Sequence, residues 1–114
     1  MSAKPPPQLF DWGGWRWDVE AAQALVAAQP RPAVTIPVPN WAKFLGVMRV
    51  EPAHAAGADL AKPVLVVPFL GGYMIIDGWH RIWRADVEQV ERLPAYVLTA
   101  AEEKRVRLLT GGGA

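Results

Sequence analysis

Two short apolar runs joined by glycines constrain the fold more than any other feature of this sequence. Residues 64–67 are continuously apolar over the length of one strand, as is typical of a strand covered on both faces. Residues 70–73 contain Gly71 and Gly72 and predict a turn, and residues 73–76 predict the return strand. The sequence therefore predicts an antiparallel pair with a buried first strand.

A glycine and a helix start follow this return strand. The strand is predicted to stop at Asp77 and Gly78, and a helix to begin at about Trp79. Its apolar side chains fit one helical stripe and its charged side chains lie on the other side. The stripe contains Trp79, Ile82, Trp83, Val87 and Val90, and the charged side contains Arg81, Arg84, Glu88 and Glu91.

The C-terminal part predicts one more strand and one more helix. Residues 93–98 form a short apolar strand, and Thr99 with Glu102 has the spacing of a capping box that begins a helix. This helix is predicted to end before the glycines at 111–113. Its charged run, residues 102–105, is interpreted as a solvated face.

The N-terminal half gives weaker patterns. Four aromatic residues surround Gly13 and Gly14 in residues 9–17 and predict an irregular segment that covers the core, with a partner surface as the alternative. Asp18 is a predicted N-cap for a helix over residues 19–28, and residues 33–38 predict an edge strand. Asn40 is expected to cap a short helix through Leu45, and residues 52–60 predict a loop with one helical turn.

Length and composition define the class of protein. With 114 residues, 52% of them hydrophobic, and no cysteine, the chain predicts one domain without disulfides. The order of its predicted strands and helices predicts an α/β (α+β) fold, a small mixed sheet flanked by helices. We predict a single domain over residues 9–110 between flexible tails at 1–8 and 111–114. No segment resembles a secretory signal or a membrane span, so we expect a cytoplasmic protein with no membrane partner. The net charge of +1 means that anion binding must be local.

The predicted helix start has the composition of an anion site. Free amides at a helix N-terminus point outward, the helix dipole favours negative charge, and Gly78 lets a phosphate approach the backbone. His80 and Arg81 add side-chain donors, and Arg84 adds a second guanidinium one turn later. We therefore predict that Gly78, Trp79, His80, Arg81 and Arg84 bind phosphate.

Alternatives stay open at this turn. Asp77 either caps the helix or serves as a magnesium ligand or base at a reacting phosphate. In a purely structural interpretation, the turn belongs to an ordinary strand-to-helix connection, and Arg81 pairs with Glu88 or with a carbonyl at the sheet edge. His54, in an alanine-rich loop, is predicted to be solvated.

The order of these motifs resembles the ParB/sulfiredoxin superfamily. The resemblance is carried by residues 62–67, by Gly72-Tyr73-Met74-Ile75-Ile76-Asp77-Gly78-Trp79-His80-Arg81 and by residues 93–98, with residues 34–38 similar to the family's first strand. It implies a ParB/sulfiredoxin-like fold whose Gly-x-His-Arg turn binds the phosphates of ATP, ADP or CTP with Mg²⁺. Trp79 stands where sulfiredoxins carry their catalytic cysteine, so thiol chemistry is excluded. The chain has no match to the second nucleotide-binding motif of segregation ParB proteins, so it resembles stand-alone members.

The resemblance gives three functional hypotheses. The first is a nucleotide-binding domain with ATPase or kinase-like phosphotransferase activity, in which Asp77 or Glu20 is the catalytic base or magnesium ligand. The second is a DNA-associated module without turnover. The third is a protein-interaction module, such as a transfer inhibitor, that uses the Trp-rich N-terminal segment. The patterns favour nucleotide binding over turnover. On the assumption that Arg81 is exposed, Arg81→Ala is expected to abolish binding and leave the fold intact.

Overall fold

Short strands and short helices alternate along the chain. A computed structural model describes residues 7–112, so residues 1–6 and 113–114 of the tails predicted at 1–8 and 111–114 lie outside the described residues. The elements are β1 (Leu9–Trp12), β2 (Trp15–Asp18), α1 (Val19–Ala28), β3 (Val34–Pro37), α2 (Val38–Ala42), α3 (Pro52–Ala55), β4 (Val64–Phe69), β5 (Gly72–Asp77), α4 (Trp79–Val87), β6 (Arg92–Val97), α5 (Ala100–Val106) and β7 (Arg107–Leu109), with a 3₁₀ turn at Leu45–Val47.

Two sheets organise the described residues. The larger has the strand order β3-β6-β4-β5, in which β4 and β6 are parallel and the other pairs are antiparallel. The smaller is antiparallel, with the order β1-β2-β7. The predicted mixed sheet with flanking helices is confirmed, and residues 64–67 of β4 are buried, as their apolar run indicates.

The N-terminal aromatic segment is a β-hairpin, so the prediction of an irregular segment was wrong. Gly13 and Gly14 both adopt positive φ (+55° and +84°), which is the backbone that a tight two-residue hairpin turn requires. Trp17 on β2 is fully buried, and Trp15 and Trp17 pack edge-on against Phe69 of β4. These contacts join the small sheet to the large one.

Two of the three helix N-caps that the sequence predicts are confirmed. The Asp18 carboxylate accepts a hydrogen bond from the amide of Ala21 (2.9 Å) at the start of α1, and Thr99 with Glu102 forms the predicted capping box of α5. Helix α2 instead begins at Val38, so the prediction of Asn40 as its N-cap was wrong. Pro39 in its first turn explains the earlier start, because proline is already set for helical φ and needs no amide partner there.

The two acidic residues of α5 are buried, so the prediction of a solvated face was wrong for them, whereas Lys104 and Arg105 are exposed as predicted. Glu102 forms a bidentate ion pair with Arg31 (2.5 and 2.7 Å). Glu103 pairs with Arg107 and accepts a hydrogen bond from the indole of Trp17 (2.8 Å). A buried carboxylate is tolerated only with such partners. Two of these partners, Arg31 and Trp17, lie more than 70 residues away in sequence, so the helical pattern alone does not reveal them.

The two described chain ends are held by the domain. The carbonyl of Gln8 accepts a hydrogen bond from the amide of Val19 (3.0 Å), and Gly111 lies against the Gly13–Gly14 turn. Strand β7, which the sequence analysis missed, brings the chain back to β2. Among residues 7–112, no helix combines the length and the apolar surface that crossing a bilayer requires.

Candidate functional site

The N-terminus of α4 lies at a pocket of about 560 Å³. Three parts of the chain form its walls: strand β1 with the preceding Gln8, the end of β5 with the first turn of α4, and the loop at residues 47–49. Side chains alternate across a strand, so a wall made of all four consecutive residues of β1 faces the edge of that strand. The pocket therefore combines backbone groups, aromatic side chains and charged side chains.

Gly78 fixes the geometry of the helix start. Its φ of +118° is a conformation that favours glycine, and a Cβ at this position would overlap Cγ1 of Val64. Gly78 itself is the N-cap of α4, and no side chain caps the first turn. The interpretation of Asp77 as the helix cap was therefore wrong. The first-turn amides have no side-chain acceptor among the described residues and lie at the pocket.

Asp77 is held by three donors. Its Oδ1 accepts a hydrogen bond from Gln8 Nε2 (3.3 Å), and its Oδ2 accepts one from Gln23 Nε2 (3.0 Å) and lies 3.3 Å from Nη2 of Arg81. The carboxylate thus ties the N-terminal segment and α1 to α4. Residues 7–112 contain no group of three or more His, Cys, Asp or Glu side chains arranged to hold a metal ion.

Arg81 is buried, so its placement on the polar side of α4 was wrong. Only 7% of its surface is exposed, and its Nη1 donates to the carbonyls of Lys62 (2.9 Å) and Pro63 (2.5 Å). These carbonyls precede β4, and together with Asp77 they satisfy the guanidinium inside the protein. The structural interpretation placed Arg81 on a carbonyl at the sheet edge or on Glu88; the carbonyls it bonds instead precede β4, an inner strand of the sheet.

His80 lies in the first turn of α4 and lines the pocket. The amide of Glu51 donates to its Nε2 (3.3 Å), and the ring of His54 lies 4.8 Å away, centroid to centroid. Burial lowers the pKa of His80, and the charges of His54 and Arg81 lower it further, while Glu51 and Asp77 oppose them. The lowered pKa favours the neutral imidazole, which can accept this hydrogen bond. His54 is exposed, as predicted, although it contacts His80.

The remaining predicted site residues have mixed positions. Trp79 lines the pocket, but its indole is buried and donates to the carbonyl of Ile75 (2.9 Å). Arg84 pairs with Glu88 (2.5 Å) and donates to the carbonyl of Ala58, outside the pocket walls. Glu20 is exposed on α1 and is not part of the pocket lining. The apolar stripe is also shorter than predicted, because Val87 is 60% exposed.

Several pocket residues were missed by the sequence analysis. Arg49 is exposed, lines the pocket and forms no ion pair with the described residues. It lies in a stretch without periodicity, so no pattern singled it out. Gln8 and Gln23 are ordinary surface residues in sequence, and only the fold brings them to Asp77. Trp12 was noted as an aromatic residue, and the structure places it in the pocket wall.

Comparison of the chain with models of protein families, with curated proteins and with solved structures finds no match. The likeness to the ParB/sulfiredoxin superfamily stays a prediction from the motifs at residues 62–98. The geometry of the pocket is thus the main basis for a functional proposal.

Proposed function

We propose that the pocket at the start of α4 binds the phosphates of a nucleotide such as ATP, ADP or CTP. One observation carries the proposal: the first turn of a nine-residue helix, with a glycine N-cap and no side-chain cap, lies at a pocket of about 560 Å³ that Arg49 also lines. Helix N-termini bind anions through free amides and the helix dipole. The volume falls within the range of small-molecule sites.

In this proposal, different residues contact the phosphates, stack on the base and position the other residues of the site. The amides of α4 and the guanidinium of Arg49 contact the phosphates, and His80 adds a donor when it is protonated. Trp12 and Phe10 on β1 line the pocket. Phe10 already stacks on Trp17, so Trp12 is the aromatic side chain on which a base stacks in this proposal. Arg81 acts indirectly, because it holds Asp77 and the chain before β4 in place. Mg²⁺ accompanies the phosphates of the nucleotide.

Turnover is a separate question from binding in this proposal. Nucleotide hydrolysis or phosphotransfer requires a group that orients the attacking oxygen. Asp77, one predicted candidate, reaches the pocket but already accepts hydrogen bonds from Gln8 and Gln23. Glu20, the other candidate, is exposed on α1. We therefore propose nucleotide binding as the primary function. ATPase or phosphotransferase activity is a second hypothesis, which requires a separate assay.

The aromatic contacts favour the nucleotide hypothesis over a partner surface in the Trp-rich segment. A partner surface there requires exposed aromatic faces on the hairpin. Trp17 is fully buried instead, and Trp15 packs against Phe69 with ring centroids 5.2 Å apart. These side chains contribute to the core, and only Trp12 and Phe10 line the pocket.

The test is a titration of the protein with ATP, ADP, CTP and GTP in the presence of Mg²⁺, followed by tryptophan fluorescence. Arg49→Ala removes a pocket cation, and Arg92→Ala, an exposed arginine on β6 outside the pocket lining, is the matched control. We expect saturable binding that Arg49→Ala weakens roughly tenfold, about 1.4 kcal/mol, while Arg92→Ala has little effect. Absence of saturable binding for all four nucleotides contradicts the proposal, and so does equal weakening by both variants.

A further inference from the structure

Residues 51–58, which follow Arg49, are hydrogen-bonded to α4 beside the pocket. Helix α3 packs on α4, and the amide of Glu51, at the N-cap of α3, donates to Nε2 of His80 (3.3 Å). A second bond joins the carbonyl of Ala58 to Arg84, one turn further along α4. The loop at residues 47–49 forms one wall of the pocket and is followed almost directly by residues 51–58. The bond at His80 therefore helps to position that wall.

The direction of this bond requires a neutral imidazole. A neutral ring has one acceptor nitrogen, whereas an imidazolium has two donors and no acceptor. Protonation of His80 would place an N–H group against the N–H group of Glu51 and a positive charge in the first turn of a helix, where the dipole disfavours it. The nearby ring of His54 adds repulsion when both rings are charged. The contact is thus stable only in one protonation state.

The charges around His80 come from every element that packs against it. Glu51 and His54 act on it from the start of α3, Asp77 from the end of β5 and Arg81 from α4. Arg84 lies one turn further along α4, and Asp11 and Arg49 line the other pocket walls. The charges of Asp77, Arg81, Arg84 and Asp11 are balanced by ion pairs. Asp77 pairs with Arg81, Arg84 pairs with Glu88, and Asp11 pairs with Arg16. Burial and the neighbouring cations together lower the pKa of His80. An anion in the pocket would act in the opposite direction.

We propose that His80 is a proton-dependent clasp: neutral His80 holds the amide of Glu51 at the start of α4, and protonated His80 releases this amide and presents a cation to the pocket. The bond from Arg84 to the carbonyl of Ala58 is kept in both states. Phosphate binding then takes up a proton, because an anion at the start of α4 stabilises the imidazolium. This coupling rests on the proposed function, whereas the clasp itself exists in the protein without ligand. Binding would strengthen as the pH falls toward the pKa of His80.

The first test uses the ligand-free protein and NMR between pH 7.5 and pH 5. We expect an imidazole titration of His80 with a midpoint below its ordinary value of 6.5. Amide exchange of Glu51, corrected for the intrinsic effect of pH, should accelerate at least about tenfold over the same range. Constant protection of Glu51 while His80 titrates overturns the clasp, and so does a proton on Nε2 at pH 7.5.

Two variants separate titration from simple loss of structure. His80→Gln keeps an oxygen that accepts the Glu51 bond at every pH, so its Glu51 protection should no longer depend on pH. His54→Gln removes a neighbouring cation and should raise the midpoint of His80. If Glu51 protection in His80→Gln still falls with pH as in the wild type, the clasp is wrong.

A second arm tests the coupling with inorganic pyrophosphate. Saturating pyrophosphate should raise the His80 midpoint in the wild type, and this rise should be smaller in Arg49→Ala. If the ligand-free clasp titrates as expected and pyrophosphate leaves the midpoint unchanged, the phosphate site and the coupling are overturned while the clasp stands. If pyrophosphate raises the midpoint and Glu51 protection never changes, the site is supported and the clasp is overturned.

Discussion

Arg81 is a structural residue at the edge of the proposed site. Its guanidinium is the partner of a largely buried Asp77 and the donor to the carbonyls of Lys62 and Pro63. Removing one member of a buried pair leaves the other charge uncompensated. We expect Arg81→Ala to lower the free energy of unfolding by about 3 kcal/mol, which replaces the sequence-based expectation of an intact fold.

Urea unfolding followed by circular dichroism measures this loss. Arg16→Ala is the matched control, because Arg16 forms an exposed ion pair with Asp11. An exposed pair is screened by water, so this variant should unfold close to the wild type. Equal urea midpoints for Arg81→Ala and Arg16→Ala would show that the buried contacts of Arg81 contribute no stability.

Gly78 should be more sensitive to substitution than Gly13. An alanine there must adopt a φ near +118° and place its Cβ against Val64. Gly13 also has positive φ (+55°), but a Cβ there meets nothing within 4 Å. We expect Gly13→Ala to cost about 1 kcal/mol from backbone strain alone, and Gly78→Ala to cost at least about 3 kcal/mol. Thermal unfolding of the two variants checks this order, and equal losses would contradict it.

At the scale of elements, α5 makes stability depend on pH. The hydrogen bonds from Arg31 lower the pKa of Glu102 to about 2, against burial, which raises it. A lowered pKa stabilises the folded state above the unfolded value of 4.5, and this contribution is lost as the pH falls from about 4.5 to about 2. We expect a loss of up to about 3 kcal/mol over this window. Glu103, whose pKa is also lowered, adds to the same trend.

Glu102→Gln provides the test of this pH dependence. The amide cannot titrate, so the variant should start less stable at pH 7 and lose less stability than the wild type between pH 4.5 and pH 2.5. Urea midpoints at four pH values in this range give both slopes. Parallel slopes for the two proteins would mean that the Arg31–Glu102 pair does not produce the acid sensitivity.

The elements that the sequence predicts best are those with local signals. The apolar run of β4, the Asp18 cap and the Thr99–Glu102 box each act within a few residues, and each is confirmed. Strand β7 and the buried side of α5 depend on partners far away in sequence, such as Trp17 and Arg31. Their local sequence resembles a solvated helix end, so no pattern could identify them.

The distinction between local signals and partners far away in sequence also applies to the whole molecule and its site. The strand-to-helix turn at Gly78 and His80 is contiguous in sequence, and the structure places it at a pocket. Arg49 and the aromatic side chains of β1 come from separate segments, and tertiary packing brings them to the same pocket. The burial of Arg81 depends on the carbonyls of residues 62 and 63, which no spacing rule connects to it.

The pocket lies between the two sheets, so its integrity depends on their joint folding. Phe69 of β4 contacts Trp15 and Trp17 with ring centroids 5.2 and 5.6 Å apart, and the three-stranded sheet has strands of only three or four residues. So small a sheet depends on the packing of its apolar face for stability. Phe69→Ala should therefore cost about 2 to 4 kcal/mol and shift the whole unfolding transition.

Near-UV circular dichroism of the tryptophans and far-UV circular dichroism of the backbone should move together. The control variant Phe44→Ala, at a residue that is 41% exposed, should change neither signal much. Loss of the near-UV signal before the far-UV signal would show that the hairpin detaches independently, and with it one wall of the proposed nucleotide site.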